Sequence, residues 1–284
     1  MELSDAEATR WRRALDAAGI GCWEWCPDDR LSIDDRLAGW LGSPPPATMT
    51  ALRALVDPAT RAALAEAQDR IRRAPGELAV TRYRIRAGDR WRWLEERAVS
   101  HPHLVVGACR DVTDELRRER AAIWRAEHDG LTGLHDRASF LRLLRGRVRT
   151  PAQAITVVAI DLDRLKSVND DHGHRAGDRL LTAAARRLRT AIRADDVIAR
   201  LGGDEFGVLV EGDPDGTLGA AIAVRLLESL RQPLELGERR IELGASAGVA
   251  VHRAGEQPQA LLERADRALY GAKQAGRGRW QLAL

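Results

Sequence analysis

Three stretches in the first 113 residues alternate between apolar and polar positions, the spacing of strands buried on one face only. GCWEWCP, from Gly21 to Pro27, sets Trp23 and Trp25 on one side. RYRIRAGDRWRWLEERAVS, from Arg82 to Ser100, alternates on both sides of a turn at Ala87-Gly88-Asp89, and Trp91 and Trp93 share a face. HLVVGACRDVT adds a third strand of the same kind. Between the first two, Ala51 to Arg73 carries apolar residues at helical spacing, broken at Pro58 and ended by Pro75-Gly76. The pattern predicts an antiparallel sheet with inserted helices over residues 19–113.

Asp114 to Asp129 contains no Gly or Pro and places apolar residues at Leu116, Ile123 and Ala126. It reads as a helix leaving the first domain and pairing with its copy in a short coiled coil. A solitary surface helix is the competing reading. Beyond it, Ile155 to Asp163 reads as a buried strand, Ala176 to Arg193 as a helix and Val197 to Val210 as two strands around a glycine turn. Leu218 to Arg231 follows as a helix, Arg240 to His252 as a strand pair or one long strand, and Gln259 to Gln274 as a last helix. That β-α-β-β-α-β order belongs to ferredoxin-like domains. The expected fold class is α+β: an N-terminal antiparallel-sheet domain over 1–113, a helical linker over 114–128 and a ferredoxin-like domain over 129–284.

Composition narrows the function. The 284 residues are 44% hydrophobic and 31% charged, the balance of a globular protein. A net charge of +3 is too small to argue for nucleic acid, and the 45 basic residues are interspersed with 42 acids. The longest largely apolar stretch, Ala154 to Ile160, is far short of the roughly 20 residues that span a bilayer. The start, MELSDAEATRWRR, lacks the apolar core of a signal peptide. A cytoplasmic protein with no membrane partner is expected. Cys22, Cys26 and Cys109 are not expected to form disulfides there, and Cys22 with Cys26 lacks partners for a metal site. Only two of the basic residues are lysines, Lys166 and Lys273; the chain has one asparagine, Asn169, and two phenylalanines, Phe140 and Phe206. Residue types kept so sparingly stand where substitutes fail.

Candidate chemistry gathers in the second domain. Asp161 ends the apolar run of ITVVAIDLDRLKSVNDDHGHRAGD, at a sheet edge suited to a hard cation held by oxygen, although an Asp after a strand also serves as a cap or turn residue. In ARLGGDEFGVLV, Gly202-Gly203 makes a tight turn, after which Asp204 and Glu205 project to opposite sides. The string R-L-G-G-D-E-F resembles the signature of the GGDEF family of diguanylate cyclases. Its companions stand in family order: D-G-L-T-G-L-H-D-R from Asp129, D-L-D-R-L-K-S-V-N-D-D-H-G-H-R-A-G-D from Asp161 to Asp178, Ser246-Ala247-Gly248, and A-D-R-A-L-Y-G-A-K-Q-A-G-R from Ala265 to Arg277. Asp136 replaces the family's Asn and Leu165 a common Phe. The first domain resembles a PAS domain on Gly88-Asp89, Trp93-Leu94-Glu95 and Arg97, then a glycine strand ending in Asp111-Val112-Thr113.

The resemblance implies an enzyme that joins two GTP into cyclic di-GMP with release of two pyrophosphates, acting as a homodimer. It implies Mg²⁺, or Mn²⁺, held by Asp161, the Leu162 carbonyl and Asp204, with Glu205 binding metal or activating the hydroxyl. Lys166 would reach the phosphates. Lys273 and Arg277, four apart and expected on one helix face, would clamp the β- and γ-phosphates beside the Gly202-Gly203 turn. Asn169 and Asp178 would read guanine, with His174 between them. Arg193-Ala194-Asp195-Asp196 matches the R-x-x-D site at which part of the family is inhibited by its product; a charged helix end is the bland alternative, and Arg225 is a candidate second arginine. Two other functions compete: a degenerate domain that binds GTP or cyclic di-GMP as a receptor, and an interaction module with a vestigial cyclase. No phosphodiesterase domain is expected after Arg277. The ligand of the first domain is not readable: its middle helix has no histidine for haem, no flavin-adduct cysteine motif is present, and the four paired tryptophans suit a ligand pocket or a partner subunit equally.

Overall fold

The structure, a computed structural model, describes residues 5–42, 44–149, 154–236, 239–242 and 244–283. The chain divides into two compact units, 1–121 and 122–284. The first opens with helix α1 (Asp5–Ala17) and strands β1 (Ile20–Trp25) and β2 (Leu31–Ile33). Helices α2 (Asp35–Leu41), α3 (Met49–Leu55) and α4 (Pro58–Arg73) follow, then β3 (Leu78–Ala87), β4 (Arg90–His101) and β5 (Leu104–Asp111). The starts of α2, α3 and α4 are chemically marked. Asp34, Thr48 and Asp57 accept backbone N–H bonds as N-caps, and Pro58 stands in the first turn of α4. The five strands form one antiparallel sheet in the order β2-β1-β5-β4-β3. It is a mixed α+β, PAS-like arrangement. Alternation places Trp23 and Trp25 in the core with Leu37, Met49, Leu64, Tyr83 and Leu94, whereas Trp91 and Trp93 lie on the opposite face of the sheet. The four tryptophans therefore do not line one pocket.

Helix α5 (Thr113–Glu127) contains no buried residue. The second unit continues with α6 (Arg137–Val148), β6 (Ile155–Asp163), α7 (Leu165–His172), α8 (His174–Thr190), β7 (Val197–Gly202) and β8 (Glu205–Glu211). It ends with α9 (Thr217–Arg231), a hairpin of β9 (Leu234–Leu236) and β10 (Arg239–Ile241), β11 (Gly244–Val251), α10 (Pro258–Gln274) and β12 (Trp280–Leu282). The main sheet runs β12-β11-β6-β8-β7, with β12 parallel to β11 and the other pairs antiparallel. Without β12 this is the ferredoxin-like order. Helices α8 and α9 cover one face through Leu180, Leu188 and Leu226; α6 and α10 cover the other through Phe140, Leu144, Leu261 and Leu269. Coverage on both faces explains why β6 is an unbroken apolar run, with every residue buried.

Three features depart from the sequence reading. The polar loop expected after Asp163 forms α7, which packs on α8. The 240–252 region is a short hairpin strand followed by β11, and residue 243 lies outside the described residues. Helix α6, which the hydrophobic pattern does not announce, is capped by Asp136, whose Oδ1 accepts the Ser139 N–H at 2.7 Å. A carboxylate thus serves there where the family has an amide. Leu165 is buried in the core. No helix among the described residues is long and apolar enough to cross a membrane.

Candidate active site

Strand alternation decides which side chains meet. On β6, Ile155, Val157 and Ala159 face α10, so Asp161 and Asp163 continue that row at the strand end. Asp161 lies opposite Glu205 on β8 and opposite Ser246 on β11. Lys273, in the last turn of α10, sets its Nζ 2.7 Å from Asp161 Oδ2. Burial pushes the Asp161 carboxyl up; Lys273 opposes this, and the nearby Asp204 and Asp163 carboxylates add to it. A buried carboxyl raised by neighbouring carboxylates favours a cation beside it. The donors are oxygens, as a hard divalent ion requires. Among the described residues no three His, Cys, Asp or Glu side chains converge as a metal site by themselves. The fit therefore rests on two carboxylates supplemented by a backbone carbonyl. Lys273 supplies the cation that meets Asp161 here.

The glycine turn is held from below. Gly203 (φ 50°) takes a left-handed conformation that carries the chain from β7 into β8. Its carbonyl accepts from Arg200 Nε at 2.9 Å and Nη2 at 2.8 Å. The same guanidinium reaches both Asp129 oxygens at 3.2 Å, and Asp129 Oδ1 accepts the Thr132 N–H and hydroxyl. Burial works against the Asp129 ion, but the bonds from Thr132 and Arg200 hold its carboxyl below the usual range. The D-G-L-T-G motif is thus the buttress of the G-G-D-E turn. The sequence shows the motif but not this role.

Two acids of the site escaped the sequence reading. Asp163 is buried and accepts from Ser246 Oγ at 3.0 Å and from the Gly278 N–H at 3.2 Å. Asp266 on α10 has its carboxyl pushed up by burial and by Glu205. Both lie inside quoted motifs, the signal that marks them. Arg277 requires a correction. Helix α10 stops at Gln274, and Arg277 follows in a turn at φ 58°, so it does not extend the helix face of Lys273. Gly276 and Gly278, both at positive φ, break the helix. The Arg277 Nε nevertheless stands 3.9 Å from Asp163 Oδ1, so the two cations still meet neighbouring carboxylates of β6.

Across the sheet edge, α7 and α8 carry Lys166, Asn169, His174 and Asp178. Lys166, His174 and Asp178 are exposed. Asn169 Oδ1 is buried without a hydrogen-bond partner among the described residues. It occupies the space over Gly177, where a Cβ would come within 1.9 Å of it. A buried, unpartnered amide oxygen is costly unless a ligand N–H supplies the bond. At the far end of α8, the Arg193 N–H donates to Asp196 Oδ2 at 2.9 Å, and Arg225 Nε donates to the Ala191 carbonyl. Arg193 and Asp196 are thus bonded to each other in the turn before β7, and Arg225 is tied to Ala191, two residues ahead of Arg193, at the other end of β7 from the Gly202-Gly203 turn.

The family model described as diguanylate cyclase, GGDEF domain, matches residues 126–279. DgcE of Escherichia coli K12, named a probable diguanylate cyclase, is 42% identical over 180 residues, covering 60% of this chain and 16% of that protein. The diguanylate cyclase TpbB of Pseudomonas aeruginosa is 37% identical over 174 residues, covering 59% of this chain and 40% of that protein. The chain therefore spans less than half the length of these curated relatives. Among solved structures, the coiled coil and GGDEF domain of DgcB from Caulobacter crescentus, in complex with c-di-GMP, superposes with a TM-score of 0.56 at 26% identity, covering 60% of this chain and 95% of that one.

Proposed function

Because the chain belongs to the GGDEF family of diguanylate cyclases, we propose that its second unit condenses two GTP into cyclic di-GMP and two pyrophosphates. The observation that carries the reading is the meeting of Asp161, Glu205 and Lys273 at one sheet edge, over a G-G-D-E turn locked by Arg200. In each half-reaction the 3′-hydroxyl of one GTP attacks the α-phosphorus of the other; the new P–O bond forms as the bond to the pyrophosphate oxygen breaks. Family members are nucleotidyl transferases that use divalent metal. Mg²⁺, with Mn²⁺ as substitute, would be held by Asp161, Asp204 and the Leu162 carbonyl and would neutralise phosphate charge.

The protein groups divide the remaining work. Glu205 accepts the 3′-hydroxyl proton or helps to hold the metal. Lys166, Lys273 and Arg277 offset the charge of the triphosphate, Lys273 exchanging Asp161 for phosphate. Asn169 Oδ1 accepts a guanine N–H and Asp178 accepts others, with His174 beside them. One domain holds one GTP, so two must face each other, and α5 supplies the homodimer contact. The first unit acts as a PAS-type regulator, and Arg193, Asp196 and Arg225 bind product as feedback. The enzyme works in the cytoplasm.

Purified chain supplied with GTP and Mg²⁺ is expected to release cyclic di-GMP and pyrophosphate. Glu205→Ala should lower the rate at least about a hundredfold, the usual cost of a catalytic carboxylate. Chromatographic product assays check this; a wild type silent with both Mg²⁺ and Mn²⁺ sinks the reading.

A further inference from the structure

The interior of the first unit is filled by its own side chains, Trp23, Met49 and Tyr83 among them. Its opposite sheet face is different. There the β3–β4 hairpin and the first two turns of α5 enclose a groove of about 570 Å³ lined by Arg84, Arg90, Trp91, Trp93, Arg117 and Arg120. Pairing of Arg84 with Trp93 and of Arg86 with Trp91 fixes these residues on one face of the hairpin. Thr113 Oγ1 accepts the Trp93 N–H at 2.9 Å and ties the start of α5 to the same strand.

Charge and aromatic surface are interleaved. The Arg84 guanidinium lies 4.8 Å from the Trp91 ring centre and that of Arg120 lies 5.6 Å from the Trp93 ring. Arg84 pairs with Asp57 and Arg117 with Asp114. Arg90 and Arg120, in contrast, meet no acid among the described residues, so the groove keeps an excess of positive charge. Trp91 retains 37% of its surface exposed.

We propose that this groove binds a nucleoside polyphosphate. Guanidinium forks suit phosphate oxygens, and indole faces suit a planar base. The volume falls within the ~300–1,000 Å³ of small-molecule sites. A bare polyphosphate would engage only the arginines, and an uncharged nucleoside only the indoles; the interleaving selects a ligand that has both. Such a ligand touches the first turns of α5, the helix that continues to Glu127.

Calorimetric titration of the full chain with ADP, adenosine and tripolyphosphate tests this. ADP carries adenine, which keeps the probe distinct from a guanine site. It should bind at least tenfold more tightly than either fragment. Arg90→Ala/Arg120→Ala and Trp91→Ala, each checked for folding by circular dichroism, should each weaken it at least tenfold, and Lys166→Ala on α7 should not. Should the double variant misfold, quenching of tryptophan emission by ADP in Trp91→Phe serves instead, and its loss is expected. Tripolyphosphate binding as tightly as ADP, unchanged affinity in the groove variants, or loss in Lys166→Ala alone overturns the proposal. None of these readouts depends on cyclase turnover.

Discussion

Glu96 carries a buried carboxyl in the core of the first unit. Its Oε2 accepts from Trp23 Nε1 at 3.1 Å and Tyr83 Oη at 3.0 Å, with Cys109 Sγ at 3.8 Å. Burial raises its pKa to about 7, outweighing these donors and the Arg53 charge. The folded acid thus holds its proton to a higher pH than the unfolded chain does. Its contribution is complete below the ordinary carboxyl range and is lost as pH rises from there through about 7, amounting to about 3 kcal/mol. Denaturant unfolding of the first unit should therefore show a midpoint that falls between roughly pH 4 and pH 7 in wild type and stays level in Glu96→Gln. A second residue, Asp163, positions the turn after α10 through Gly278 and Ser246. Asp163→Ala leaves those donors unpaired, a loss of ~1–3 kcal/mol. It should raise KM for GTP roughly tenfold with a smaller change in kcat, and Asp163→Asn should recover part of the loss. A change in melting temperature with KM unmoved would mark Asp163 as structural only.

Helix α5 matters most at the scale of elements. It buries nothing, and Ile123 is 53% exposed on it. A helix with that apolar surface needs a partner to be stable, and its copy is the partner expected here. Specific activity should rise with protein concentration until dimers saturate, and Ile123→Asp should lower it at least tenfold at equal concentration. Sedimentation run beside the assay decides the matter: a monomer with full specific activity on dilution would refute it. The role of α7 is of the same kind. LKSVNDDH looks like a loop because its polar residues outnumber its apolar ones, yet it forms a helix because Leu165 enters the core and α8 covers its inner side.

The proposed feedback is a matter of the whole molecule, since tying two domains together would take one product-binding corner on each. Arg193 bonds Asp196 in the turn after α8, Arg225 is tied to Ala191 beside it, and β7 runs from there to the glycine turn. Occupying that corner leaves the Asp161–Glu205 edge free. Inhibition by added cyclic di-GMP should therefore be non-competitive with GTP, and Arg193→Ala should relieve it with initial rates nearly unchanged. Equal inhibition of wild type and variant in initial-rate assays would leave the string a charged helix end.

Local chemistry written along the chain determined much of this. Alternation specified the strands, Pro58 marked the break in the helical stretch 51–73, and the G-G-D-E string with its ordered companions specified the family. Those signals depend on neighbours in sequence, so no tertiary knowledge is needed to read them. Contacts between distant segments were decided only by folding. The bond from Arg200 to Gly203 and Asp129, the reach of Lys273 to Asp161, and the anchoring of Gly278 by Asp163 bring together parts of the chain that the linear pattern leaves unconnected. So does the break that removes Arg277 from α10, where two glycines and a carboxylate from β6 outweigh helical spacing. A linear pattern records which face a side chain takes on its own element, but which element covers that face is set by the packing of the complete sheet.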